Sequence, residues 1–116
     1  MLRHLLKSKI HRAVVTDSDV GYEGSIGVPA DLMRAVDLWE GEKVLVASIT
    51  RGERLETYVI AEPEGSGKIV ARGGAAHRIS TGDIITIMAF TWSERPVESR
   101  RILCGPGNVI ERHNVS

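Results

Sequence analysis

Cysteine is nearly absent: Cys104 stands alone among 116 residues. That excludes an intrachain disulfide and a cysteine-based zinc site, and fits a reducing compartment. Long apolar runs are missing too. The longest, Ile84–Phe90, falls well short of the ~20 residues a membrane helix needs. Met1–Lys9 carries Arg3, Lys7 and Lys9, where a secretory signal needs an unbroken apolar stretch. No membrane partner is expected, and the cytoplasm is the expected location. Neither sign of charge is in excess, since fifteen Lys and Arg balance fifteen Asp and Glu. A dedicated nucleic-acid binder needs a basic surplus to meet phosphates. Aromatic residues are few (Tyr22, Trp39, Tyr58, Phe90 and Trp92), so the core rests on Val, Ile, Leu and Ala. The common catalytic signatures are also missing: no P-loop, no GxGxxG after a strand, no GxSxG nucleophile elbow. His4, His11, His77 and His113 lack metal-ligand spacing, so no metal is expected. An enzyme built on this chain has to make its reactive group some other way.

Hydrophobic residues make up 42%, an ordinary share for a folded chain. The length fits one domain, 1–116, of the usual ~100–150 residues. Breakers cut it into short pieces. Ile10–Thr16 is β-branched and ends in the turn cluster Asp17-Ser18-Asp19. After the Gly-rich stretch Gly21–Gly27, the spacing predicts a helix over Pro29–Leu38. Pro29 suits its first turn, Asp31 its positive end, and Gly41 its stop, while Leu32, Val36 and Trp39 line one face. Lys43–Thr50 and Leu55–Ala61 read as strands with a hairpin connection at Arg51–Arg54. Lys68–Ala71 is a short strand, Gly73–His77 a small-residue corner and Asp83–Thr91 a strong strand. Pro96–Arg101 is a candidate helical turn, Ile102–Cys104 a last strand, and the polar tail after Asn108 is expected to fray. Short strands with one clear helix predict a mainly β chain, a small β-barrel with short helical insertions. Open edges at this size make closure or oligomerisation the expected solution.

One dipeptide offers a reactive group. The Ser25 hydroxyl can attack the Gly24 carbonyl carbon, moving the acyl group from nitrogen to oxygen and turning the peptide bond into an ester. Glycine gives an unhindered carbonyl and tolerates the strained backbone this attack needs. Elimination across the Ser25 Cα–Cβ bond then breaks the chain, and hydrolysis of the dehydroalanine leaves a pyruvoyl group at the new N-terminus. Gly-Ser alone is also a common turn dipeptide, so its surroundings decide.

Those surroundings are Lys7-Ser8-Lys9-Ile10-His11-Arg12, Tyr22-Glu23-Gly24-Ser25, Arg51-Gly52-Glu53-Arg54, Thr57-Tyr58, Gly73–His77 and Gly82-Asp83-Ile84. In order and spacing, over about residues 1–90, they resemble the pyruvoyl-dependent aspartate 1-decarboxylase family, which makes β-alanine for pantothenate. The resemblance implies a double-psi β-barrel and a homotetramer with active sites between neighbouring subunits. It implies self-cleavage between Gly24 and Ser25 into a β chain, 1–24, and an α chain, 25–116. L-aspartate is then the substrate, and the pyruvoyl group from Ser25 the covalent cofactor, with no pyridoxal phosphate. The chemistry is coherent: losing CO2 from an amino acid leaves a carbanion that needs an electron sink. The substrate amine, condensed with the ketone as a protonated imine, provides one.

By resemblance Tyr58 is the proton donor, or else a core or interface tyrosine; Thr57 stabilises the oxyanion during cleavage and contacts substrate, or else is a β-branched residue that packs in a strand. Arg54 would pair bidentately with a substrate carboxylate, or else stand as a solvated hairpin charge. Lys9 and His11 alternate along a strand and share a side, which in the family reaches the site. The first sixteen residues hold no acid, so a basic arm or a solvated face are the other readings. Tyr22 and Glu23 are candidates to shape the turn at the scissile bond. Gly73, Gly74 and Ala75 let backbone N–H groups approach a substrate, and equally suit a tight corner. One position departs from the family. Its Asn-Gly-Ala-Ala-Ala run reads Arg72-Gly73-Gly74-Ala75-Ala76 here, replacing a neutral donor and acceptor by donors and a fixed charge. Arg72 can alter processing, rate or substrate choice, or point away. Two rival readings stand beside the decarboxylase. One is a member with altered substrate or lost activity because of Arg72. The other is a small swapped-hairpin DNA-binding regulator, suggested by Ile26–Leu32 and Asp37–Val44, which the neutral charge balance opposes.

Overall fold

The computed structural model describes residues 1–114. Among these, the Val- and Ile-rich runs form nine strands: β1 (Arg3–Val14), β2 (Asp17–Asp19), β3 (Ser25–Pro29), β4 (Lys43–Ser48), β5 (Arg54–Glu62), β6 (Val70–Arg72), β7 (Ile84–Ser93), β8 (Arg100–Cys104) and β9 (Ile110–His113). One helix, α1 (Ala30–Ala35), and two 3-10 turns, Gly73–His77 and Pro106–Asn108, interrupt them. All strands belong to one sheet, ordered β2-β6-β3-β5-β4-β7-β1-β8-β9. The chain is therefore mainly β with short helical insertions, consistent with a β-barrel. The middle of the sheet is antiparallel. The pairs β1–β8, β3–β5 and β2–β6 are parallel, which a tight hairpin cannot make.

Burial follows from the strand period. Ile10, Ile26, Val28, Val46, Val59, Ile85 and Ile102 are fully buried, each contributing roughly 1.5–3 kcal/mol by leaving water. β1 carries bulges at Leu6/Ser8 and Ile10/Ala13, and Arg12 at the second has φ 61. Bulges bend and twist a strand, and β1 serves β7 along one edge and β8 along the other.

Several boundaries move from where local pattern puts them. α1 stops at Ala35, because Asp37 turns left-handed at φ 55. Leu32 and Val36 are buried, but Trp39 lies past that turn and is 76% exposed, so it is not on the helix's inner face. Asp17-Ser18-Asp19 is not a turn but β2, paired with β6. The strands expected at Ile10–Thr16, Lys43–Thr50 and Lys68–Ala71 shift to β1, β4 and β6. Arg54 belongs to β5 opposite Ala47, not to the hairpin connection, whose turn uses Gly52 at φ 74. No helical turn forms at Pro96–Arg101, since Arg100 already pairs with Ser8 in the parallel ladder. The tail does not fray where expected: Ile110–His113 adds to β8 as β9. Val115 and Ser116 of that tail lie outside the described residues. Among the described residues, no helix is long and apolar enough to cross a membrane.

Candidate active site

Ser25 opens β3 and is fully buried. β3 runs between β6 and β5, with Ser25 opposite Arg72 and Ile26 beside Val59. The Ser25 hydroxyl meets only the Glu23 carbonyl, at 3.5 Å, the outer limit for a hydrogen bond. The hydroxyl is thus only weakly engaged.

The corner at Gly73–His77 explains how that segment is supported. Gly73 has φ 62, and a Cβ there would stand 2.5 Å from the Tyr22 carbonyl oxygen, 2.6 Å from the Gly24 nitrogen and 2.7 Å from the Gly24 Cα. Only glycine lets the two backbones come this close. Gly73 is buried behind Gly24, while Gly74 is exposed. Tyr22 contributes its carbonyl to this contact; its side chain is largely exposed.

β5 supplies the facing wall. It pairs with β4 along Arg54–Tyr58 on one edge, but with β3 only from Val59 onward on the other. The second edge is therefore open ahead of Val59, beside the glycine corner. There Thr57 and Tyr58, both half-buried, line a cavity of about 460 Å³ with Gly24, Gly74 and Ala75. Arg78 lines the same cavity, a residue that sequence reasoning missed. Its Nη1 donates to Glu53 Oε2 at 3.3 Å and to the Arg54 carbonyl at 3.4 Å. An Arg closing the small-residue run was the available signal.

Lys9, His11 and Arg54 gather elsewhere, around a cavity of about 420 Å³. Register brings them together. The His11 Nδ1 lies 3.2 Å from Thr86 Oγ1 on β7, Thr86 is opposite Ala47 on β4, and Ala47 is opposite Arg54 on β5. Lys9 lies on the same face of β1, opposite Met88. The small Ala47 leaves room between the charges. Burial foremost, then Lys9 and Arg12, lowers the His11 pKa below its usual 6.5, leaving a neutral imidazole at neutral pH. An arriving carboxylate would counter that and favour the charged form. Arg54 and Tyr58 are four residues apart on an extended strand, about 13 Å at the usual rise. The cationic set and the Ser25 set therefore occupy separate cavities of one chain.

Arg72 joins neither cavity. Its Nη2 donates to Glu62 Oε2 at 2.8 Å, and both side chains are largely buried. The segments resembling a DNA-binding hairpin fall in β3, α1 and β4, and both strands are interior to the sheet, not a free basic ribbon.

The model of the aspartate decarboxylase family matches residues 1–109. The aspartate 1-decarboxylase of Corynebacterium efficiens is 54% identical over 90 residues, covering 78% of this chain and 66% of that protein; the matched part is just under two thirds of that relative's length. A match running from β1 through the Ser25 strand and the glycine corner to the second 3-10 turn leaves one assignment: the chain belongs to the aspartate decarboxylase family.

Proposed function

We propose that this protein is a pyruvoyl-dependent lyase that decarboxylates L-aspartate to β-alanine, supplying pantothenate synthesis. The observation that carries the reading is the obligatory glycine at position 73, seated on the Tyr22–Gly24 backbone that leads into a buried Ser25. Self-cleavage follows the chemistry of that serine. The Ser25 oxygen bonds to the Gly24 carbonyl carbon as the C–N bond breaks, giving an ester and a free amine. Elimination releases the Gly24 carboxylate and leaves dehydroalanine. Addition of one water then expels ammonia, and residues 1–24 and 25–116 become separate chains. Thr57, across the cavity from Gly24, can donate to the oxyanion of the first step.

The residues present fit a pyruvoyl group: the missing Gly73 side chain gives backbone room at Gly24, and Tyr58 lines the cavity beside it. That group supplies the electron sink for decarboxylation. The chain's own residues do the rest. Arg54, with Lys9 and His11, holds the carboxylate that is kept, and the Tyr58 hydroxyl gives a proton to the carbon that lost CO2. Backbone N–H groups at Gly73, Gly74 and Ala75 border the reacting end. The separation of the two cavities supports active sites built between subunits, with Arg54 of one copy facing Ser25 of another, in a homotetramer. The parallel pairs β1–β8 and β3–β5 support the double-psi form of the barrel. A lone buried cysteine, Cys104, supports a cytoplasmic setting.

Purified protein supplied with L-aspartate should release β-alanine. Tyr58→Phe should still cleave itself, yet lose about 10²–10⁴-fold in turnover, the usual weight of a positioned general acid. Fully cleaved wild-type protein that yields no β-alanine would overturn the assignment of substrate and reaction.

A further inference from the structure

Arg72 and Glu62 stand on the two strands that flank β3. Arg72 ends β6 and Glu62 ends β5, and β3 lies between them. Their ion pair, 2.8 Å long, therefore crosses over β3, and it does so at Gly27. A Cβ on Gly27 would collide with the Glu62 carboxylate and stand 2.8 Å from Arg72 Nη1. Nη1 is itself buried over Gly27 without a hydrogen-bond partner, so the Nη2–Glu62 contact is the bond that fixes the guanidinium there. The antiparallel register puts Ser25, Gly27 and Arg72 on one face. The bridge thus lies one pleat along from Ser25.

Resting on the self-cleavage reading, we propose that the Arg72–Glu62 pair is a strap that holds the chain start created at residue 25. Before cleavage, Ser25 is tethered on both sides by peptide bonds. Afterwards it is a terminus, and unsecured termini fray. Fraying of β3 would withdraw the reactive end from Tyr58 and Thr57. The strap opposes this across both neighbouring strands, and Gly27 is the notch that admits it. Arg72 is then a positioning residue that acts through Glu62 and β3, not a group that contacts substrate.

The test compares hydrogen exchange of the peptide beginning at residue 25 in processed wild type, Glu62→Gln and Gly27→Ala, the last displacing the strap without removing a charge. Each variant is also measured in an uncleaved Ser25→Ala background. Exchange at β3 should rise about tenfold in processed Glu62→Gln, with a similar loss in kcat, unchanged extent of self-cleavage and little change in the uncleaved background. The swap Glu62→Arg with Arg72→Glu should restore protection and kcat. Unaltered protection in processed Glu62→Gln and Gly27→Ala would overturn the strap. So would equal loss in the uncleaved background, which would mark an ordinary structural ion pair. Wild-type protein that stays a single chain would instead refute the cleavage reading, and the strap with it.

Discussion

His11 shows how neighbours set a single residue's chemistry. Burial, Lys9 and Arg12 all oppose its charged form, so the native state resists a proton that the unfolded chain takes near pH 6.5. Stability present above 6.5 is thus lost as the pH falls through the lowered native value. His11→Gln should flatten this dependence. Urea denaturation at pH 7 and about pH 5 should show a smaller drop for the variant than for wild type; an equal drop would mean that His11 is not the titrating group. The same lowering keeps the imidazole neutral, able to accept a proton or donate to a carboxylate, beside the Arg54 guanidinium. In the sequence, family spacing singles out Ser25, Thr57 and Tyr58, and the strand period puts Lys9 and His11 on one side; the structure brings Thr57 and Tyr58 to one cavity and Lys9 and His11 to another. The placements of Arg78, Glu62 and Gly27 are not legible there, because each depends on what distant strands bring against it.

Beyond the β1–β8 ladder, one side chain joins the turn before β9 to two distant parts of the molecule. Asn108 is buried and left-handed, at φ 56, a conformation that Asn tolerates better than most residues. Its Oδ1 accepts from the Val14 N–H at 2.8 Å, and its Nδ2 donates to the carbonyls of Val14 at 2.9 Å and Gly67 at 2.8 Å. It therefore ties the end of β1, the loop after β5 and the turn into β9. Asn108→Ala leaves those groups unpaired in the interior, so unfolding free energy should fall by about 2–4 kcal/mol. A loss below about 0.5 kcal/mol, the range of an ordinary surface change, would show that the tie is dispensable. The element boundaries explain what sequence could offer. β4, β5 and β7 were legible because their Val and Ile runs carry the signal locally. β2 and β9 were not, because short polar segments become strands only when β6 and β8 pair with them. Spacing alone puts Trp39 on a helix face, but the helix ends first, before the left-handed Asp37.

The whole molecule separates two kinds of chemistry. Register across β1, β7, β4 and β5 collects the cations, while the break in β5 pairing opens the cavity beside Gly24. No local pattern predicts that division, since it depends on which strands become neighbours. It is the observation behind the proposed assembly: under that proposal, a substrate with two carboxylates and an amine meets both sets where copies of the chain face one another. The proposed chemistry requires the Ser25 hydroxyl to become a carbonyl that captures an amine. Treating the purified protein with L-aspartate and borohydride, then weighing the denatured chains, tests it most directly. Two chains are expected, split after Gly24, with the aspartate-derived mass fixed to residue 25 of the longer one. A single intact chain, or a cleaved chain that takes up nothing at residue 25, would contradict it.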